Sequence, residues 1–187
     1  MGKTKIKPTQ GRILISEPFL QDHYFKRSVV LLADHGDDGS FGLIINKPIN
    51  IRLNEIVSEF PEFDGQLYMG GSVKTDSLFF VHSLGDTITG SMKIIDGLYW
   101  GGDIEVIKEM LKLKQISSEE IRFFIGYSGW ESKQLEDELE RDSWVVSKTR
   151  VDQVINDNPV DLWTSILKTL GKEYEQWVNY PLDPSLN

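Results

Sequence analysis

Apolar residues come along this chain in short bursts, broken by polar and glycine-bearing stretches. Residues 12–16 (Arg-Ile-Leu-Ile-Ser) read as a strand that Pro18 ends. Ser28 to Ala33 is a run of β-branched residues and Leu, which predicts a buried strand. Asp34-His35-Gly36-Asp37-Asp38-Gly39 is dense in turn formers. Phe41 to Asn46 is the next strand, so the pair predicts a hairpin. Leu53, Ile56, Val57 and Phe60 have helical spacing, and Pro61 closes it. Two further strands are expected over about 66–69 and 78–82, separated by Gly70-Gly71.

The second half mixes helices with strands. Gly101-Gly102-Asp103 opens a helix with Ile104, Ile107 and Leu111 on one face and Asp103 at the N-cap. Ile121 to Tyr127 is a strand, followed by a Glu- and Asp-rich helix over about 129–141. Trp144 to Ser147 is another short strand. Asn158 is placed to cap a last helix, Pro159 suits its first position, and Asp161 suits its positive dipole end. Leu162, Trp163, Ile166, Leu167 and Leu170 give its apolar stripe, and Gly171 ends it. The order lacks the strict βαβα rhythm of a doubly wound sheet, so the class is α+β.

Composition narrows the picture. The 187 residues suit one domain, read here as 11–187 after a loose polar segment at 1–10. No run approaches the roughly 18 apolar residues of a membrane span. The basic start has no apolar core of a secretory signal, and Ile6 stands where a myristoylation motif needs Ser or Thr. A cytoplasmic location is therefore expected. The chain has no cysteine, which excludes disulfides, thiolate metal sites and a Cys nucleophile. The net charge is −9, with eight Lys/Arg against five Asp/Glu in residues 1–52 and twelve against twenty-four beyond. Duplex binding asks for a dense basic face, so direct nucleic-acid binding is not expected.

Candidate chemistry is sparse. Gly126-Tyr127-Ser128-Gly129-Trp130 sits between a strand and an expected helix, the setting of a nucleophile elbow, but the second glycine comes one residue early. Ser128 with Glu131 reads better as a capping box, with Gly126 and Gly129 shaping the turn. Asp34, Asp37 and Asp38 do not keep calcium-loop spacing. His23, His35 and His82 show no metal-ligand spacing, and no metal or cofactor is expected. Gly70-Gly71-Ser72 offers backbone N–H groups to an anion or simply a turn. Arg27 beside Ser28 could meet a phosphate or carboxylate, although a salt bridge to a nearby Asp is the plainer use. The acidic run Glu136-Asp137-Glu138-Glu140-Asp142, with Gln134 and Trp130, is a solvated helix face or a dock for a basic partner.

Several of these segments together resemble the YqgE/AlgH family. They are Gly11 to Ser16, Pro18, Phe25, Arg27 to Leu32, His35, and Gly42 to Pro48 with Asn46. Further on come Gly70-Gly71-Ser72-Val73, Phe80-Val81-His82, Gly126 to Trp130 with Gln134-Leu135-Glu136, Trp144, Trp163 and Leu170-Gly171. The resemblance covers about residues 10–175. It implies an α+β fold with a bifurcated, partly barrel-like β-sheet flanked by helices. It brings no established activity or catalytic residue. One branch of the family is labelled a transcriptional regulator, linked to alginate synthesis. Family members usually carry Ala where Ser128 stands, Pro at 72 and a small residue at 133. An Arg-Gly pair often precedes the strand at 78–82, where this chain has Asp76-Ser77.

Three readings of function follow. The first is a non-catalytic binding or regulatory module acting through a protein partner or small-molecule ligand. The second is a hydrolase- or transferase-type enzyme using His35 or His82 with Arg27 and the Gly70-Gly71 backbone; it requires these residues to converge on one pocket. The third is direct DNA binding, which the charge disfavours. The ligand-contact candidates are Arg27, Ser28, His35, Asn46, Gly70, Gly71, His82, Gly126, Tyr127, Gly129, Trp130 and Gln134, with no catalytic residue among them. Oligomeric state is not readable from the sequence.

Overall fold

The computed structural model describes residues 6–156 and 158–181. Of the segment 1–10, residues 1–5 lie outside the described residues. Ten strands and six helices are present among those described. In chain order they are β1 (Arg12–Ser16), β2 (Val29–Gly36), β3 (Gly39–Ile44), β4 (Pro48–Ile49), α1 (Leu53–Ile56), β5 (Leu67–Met69), β6 (Val73–His82), β7 (Met92–Ile95), β8 (Leu98–Trp100), α2 (Ile104–Lys112), β9 (Ile121–Glu131), α3 (Gln134–Glu140), β10 (Trp144–Lys148), α4 (Val151–Ile155), α5 (Leu162–Leu170) and α6 (Lys172–Val178).

The strands form one sheet in the order β10-β1-β2-β3-β9-β6-β8-β7, antiparallel throughout. A branch leaves it at β9, where β5 pairs in parallel and carries β4 on its far side. This is the bifurcation. β9 has β6 along one edge, while its other edge is shared. Phe123, Phe124 and Ile125 pair with β5, and Ser128 to Glu131 pair with β3.

The sheet is not closed, so the α+β, bifurcated architecture stands and its barrel is partial. One side chain bridges the gap: Gln10 Nε2 donates to Ala33 O (2.9 Å) and to Lys93 O (3.2 Å).

Three apolar clusters hold the layers together, because each sheet face must be covered. Inside the curl, Ile13, Ile15, Leu31, Leu43, Ile45 and Phe124 pack against Val154, Leu162, Trp163, Ile166 and Leu167 of α4 and α5. On the far face of β5, β6 and β9, Leu67, Phe80 and Phe123 meet Leu53 of α1 and Ile107 and Leu111 of α2. On the outer face of β1–β3, Leu14, Val30, Leu32 and Ile44 meet Trp130, Leu135 of α3 and Trp144.

Two expected helix starts move. The helix expected over 129–141 is only α3, because β3 claims Gly129, Trp130 and Glu131 as ladder partners. Tertiary pairing there overrides the local capping signature. α5 starts at Leu162, because Asn158 Oδ1 accepts from Val160 N (3.1 Å) and closes a separate turn. Asp103 caps α2 as expected, its side chain accepting from Glu105 N at 2.9 Å.

Candidate functional site

The glycines lie at the fork of the sheet. Gly70 N donates to Ile125 O (2.8 Å), and Gly70 O accepts from Ile44 N (2.8 Å). The same carbonyl accepts from Ser128 Oγ (3.0 Å). One residue therefore joins β3, β5 and β9 where they part. A Cβ on Gly70 would stand 2.2 Å from Gly126 O, so the approach needs glycine. Gly126 has φ 68°, the left-handed conformation of a bulge that lets β9 change partners from β5 to β3. A Cβ on Gly71 would likewise meet Tyr127 backbone at 2.2 Å, and Gly129 pairs with Phe41. These glycines fill the fork with backbone and leave no anion cradle.

Ser128 is corrected by this geometry. It is wholly buried in mid-strand and caps no helix. Glu131, the other half of the expected capping box, is also in β9, and its N–H donates to Gln134 Oε1 at 3.0 Å. Nor does Ser128 sit on a strand-to-helix turn, and its hydroxyl is committed to Gly70 O. It is a tie across the fork.

The histidines do not meet. His82 is fully buried at the end of β6, its ring 5.8 Å from that of Tyr99 and nearly parallel. Its Nδ1 accepts from Leu84 N (3.3 Å). Its Nε2 faces Ser91 Oγ (3.0 Å) and Gly101 O (3.2 Å), so the neutral Nε2–H tautomer satisfies every contact. Burial pushes the imidazole below its ordinary pKa, against a smaller upward pull from the Gly101 carbonyl.

His35 is at the β2–β3 hairpin, Nδ1 2.8 Å from Ser40 Oγ and Nε2 3.7 Å from Glu136 Oε1. The serine, imidazole and carboxylate stand in line, but 3.7 Å is not a hydrogen bond. His82 is level with Ile121, and Ser40 with Trp130, at opposite ends of β9. That run spans about 30 Å at roughly 3.3 Å per strand residue. β2 lies between Arg27 and His35 in the same way. An acid–base site from His35, His82 and Arg27 does not form.

Trp130 and Gln134 turn out to be structural. Trp130 is buried and cannot anchor a partner at the surface. Glu138 Oε2 accepts from both Trp130 Nε1 (2.9 Å) and Trp144 Nε1 (2.7 Å), and its Oε1 accepts from Gln134 Nε2 (3.0 Å). One acid of the expected docking run is thus turned inward. Glu136, Asp137 and Glu140 remain exposed.

Arg27 and Asn46 do come together. Arg27 has φ 49° just before β2. Asn46 holds that bend: its Oδ1 accepts from Val29 N (2.8 Å) and its Nδ2 donates to Arg27 O (2.9 Å). Among the described residues the Arg27 guanidinium meets no carboxylate, contrary to the expected salt bridge. It lies 5.0 Å over the Trp163 ring and donates from Nη2 to Tyr180 O. Ser28 is fully buried, its N–H donating to Ser16 Oγ at 2.8 Å.

Two features escaped sequence reasoning. Phe41, Phe79, Trp100 and Tyr127 are half-buried and gather ring against ring on the sheet, with Phe41 4.7 Å from Trp100, 4.8 Å from Tyr127 and 5.8 Å from Phe79. Phe79 and Trp100 continue into a cavity of about 420 Å³ walled by Phe60, Leu78, Ile104 and Lys108. Only Tyr127 was a candidate, since the other three belong to strands far apart in sequence. The second is Arg122, a charge inside the apolar run Ile121–Ile125. It is buried, lies 4.3 Å over the Tyr68 ring, and donates to Ile45 O (3.2 Å) and Ile155 O (2.8 Å). A lone arginine in an apolar strand was the available signal.

Comparison with known proteins bears on the fold. Residues 13–175 match the AlgH-like family. A UPF0301 protein of Bacteroides thetaiotaomicron is 46% identical over 183 residues, covering 97% of this chain and 93% of that protein. A UPF0301 protein of Cytophaga hutchinsonii is 43% identical over 180 residues, covering 96% and 99%. The crystal structure of a Corynebacterium diphtheriae protein superposes with TM-score 0.78 at 20% identity, over 95% of each chain. The solution structure of the AlgH protein from Pseudomonas aeruginosa gives TM-score 0.75 at 23% identity, over 97% of this chain and 98% of that one.

Proposed function

The chain belongs to the AlgH-like family, and on that premise we propose that it is a non-catalytic binding or regulatory module of the cytoplasm. The carrying observation is the aromatic face of Phe41, Phe79, Trp100 and Tyr127, whose rings touch one another on the sheet and are only partly buried. Clustered aromatics with a wet side are a common form of recognition surface. His82 and Ser128, which suggested catalysis, are spent on structure.

The face lies at the acidic hairpin end. Asp34 stands directly opposite Phe41 in the β2–β3 register, and Asp37 and Asp38 follow. Such a surface fits a protein partner that presents apolar and cationic side chains together. No helix among the described residues is long and apolar enough to cross a membrane. The net charge of −9 disfavours a direct grip on DNA, so a regulatory role would run through that partner.

The test is affinity capture from a bacterial lysate with the wild-type chain and with Trp100→Ala, followed by titration of the recovered partner. Stoichiometric capture that the substitution weakens about tenfold or more supports the reading. Recovery of nothing, or equal recovery by both proteins, would overturn it.

A further inference from the structure

We propose that the bend formed by Lys26, Arg27, Ser28 and Lys47 binds the phosphate group of a small phosphorylated molecule. This site is separate from the aromatic face.

The first ground is charge. The chain is strongly acidic, and several of its cations are matched: Lys93 with Asp96, Lys108 with Glu105, Arg150 with Asp152. Lys26, Arg27 and Lys47 stand close enough to act on one another, and among the described residues none has a carboxylate partner. The crowding shows on Lys47. Burial, and then the charges of Lys26 and Arg27, push its ammonium pKa down. Its Nζ settles for a neutral acceptor, Lys26 O, at 2.6 Å. Three cations gathered at partial burial repel one another, and an anion is the natural relief.

The second ground is unmet hydrogen bonding. Among the described residues only Arg27 Nε and Ser28 Oγ are buried side-chain polar atoms without a partner, and they belong to adjacent residues of this bend. Buried polar groups are nearly always paired, so two orphans side by side call for an explanation. Phosphate brings acceptor oxygens for both.

The third ground is preorganisation. Arg27 is held in the left-handed region by Asn46, and its guanidinium carbon stands 5.0 Å over the Trp163 ring. A non-glycine residue at φ 49° carries strain that its surroundings must hold in place. The Tyr180 carbonyl, resting on Nη2, is a neutral group where an anion would bind far better. The ligand enters by displacing that carbonyl, and the Tyr180 ring leaves its contact with Phe19, now 4.8 Å between centroids. Phosphate fits better than a carboxylate. It carries nearly two charges and three acceptor oxygens, enough for a guanidinium, a hydroxyl and two ammonium groups.

The experiment is calorimetric titration of the full chain with inorganic phosphate and, separately, with glycerol 3-phosphate at fixed ionic strength, with chloride as control. Saturable binding of either is expected, weakened about tenfold or more in Arg27→Gln and in the double variant Lys26→Met/Lys47→Met. Binding of the ester alone assigns an esterified phosphate; equal binding of both assigns the free anion; each supports the site. Should Arg27→Gln not fold, the lysine variant decides. No saturable binding of either probe, or undiminished binding by the folded lysine variant, overturns the proposal.

Discussion

The fork of the sheet and the basic bend beside β2 both hold residues that look functional in sequence, and they are built in opposite ways. At the fork, Gly70 N–H and the Ser128 hydroxyl each have an acceptor, and backbone fills the gap. At the bend, like charges crowd together and two buried polar atoms lack partners among the described residues. A tight glycine cluster is thus a poor pointer to a ligand when it joins three strands. A mismatch of charge and hydrogen bonding is the better one.

Substitutions should separate the two regions, and the largest effect belongs to the fork. Gly70→Ala forces a methyl to 2.2 Å from a backbone oxygen that has no room to retreat. A loss of about 3 kcal/mol or more, or no soluble folded protein, is expected in urea denaturation. A near-neutral result would show that the fork can open and would erase the contrast.

Ser128→Ala comes next. It removes one buried hydrogen bond while Gly70 O keeps Ile44 N, so the loss should be about 1 kcal/mol in the same assay. A much larger cost would mean that the hydroxyl does more than tie strands.

His82 gives a pH signature. Its folded pKa is lowered by burial, so it folds neutral and its contribution is complete above the unfolded value of about 6.5. As pH falls below that value the unfolded chain takes up the proton first, and stability drains until the folded pKa is passed. The melting temperature of His82→Asn should therefore fall less than that of wild type between about pH 8 and pH 5. Parallel curves for the two proteins would remove His82 as the cause.

The smallest effect is expected at the bend. Lys47→Met deletes a half-buried charge repelled by two others, at the expense of one hydrogen bond to Lys26 O. Stability should stay within about 0.5 kcal/mol of wild type, and any gain should be greatest at low salt, where repulsion is least screened. A loss as large as that of Gly70→Ala would make the bend structural after all.

Much of the fold could be read in advance. β1, β2, β3 and β9 announced themselves as β-branched and Leu runs, and α2 by its Asp103 cap. β7, β8, α4 and α6 were missed, because Met92–Ile95 and Leu98–Trp100 are runs of four and three residues with polar neighbours and α4 is little more than one turn. The site was harder. Ser128-x-x-Glu131 is a valid local capping pattern, yet β3, nearly ninety residues earlier, takes that segment as a strand. Arg27 was singled out as a cation for a phosphate or, more plainly, a nearby Asp, but that it meets no carboxylate among the described residues is visible only in three dimensions. The aromatic face joins positions 41, 79, 100 and 127, and no pattern within one chain segment could assemble it.

β9 has a neighbour along both edges and two on one of them, yet it is encoded in the last third of the chain. During synthesis, β3, β5 and β6 must leave the ribosome with their central rungs open, and with apolar side chains such as Leu43, Leu67 and Phe80 uncovered. Pairing at the centre of the sheet therefore waits for residue 131, and the inner core waits longer still, for α4 and α5. Ribosome-bound fragments ending near residue 115 should stay protease-sensitive, and those with β9 through α5 outside the exit tunnel should become resistant.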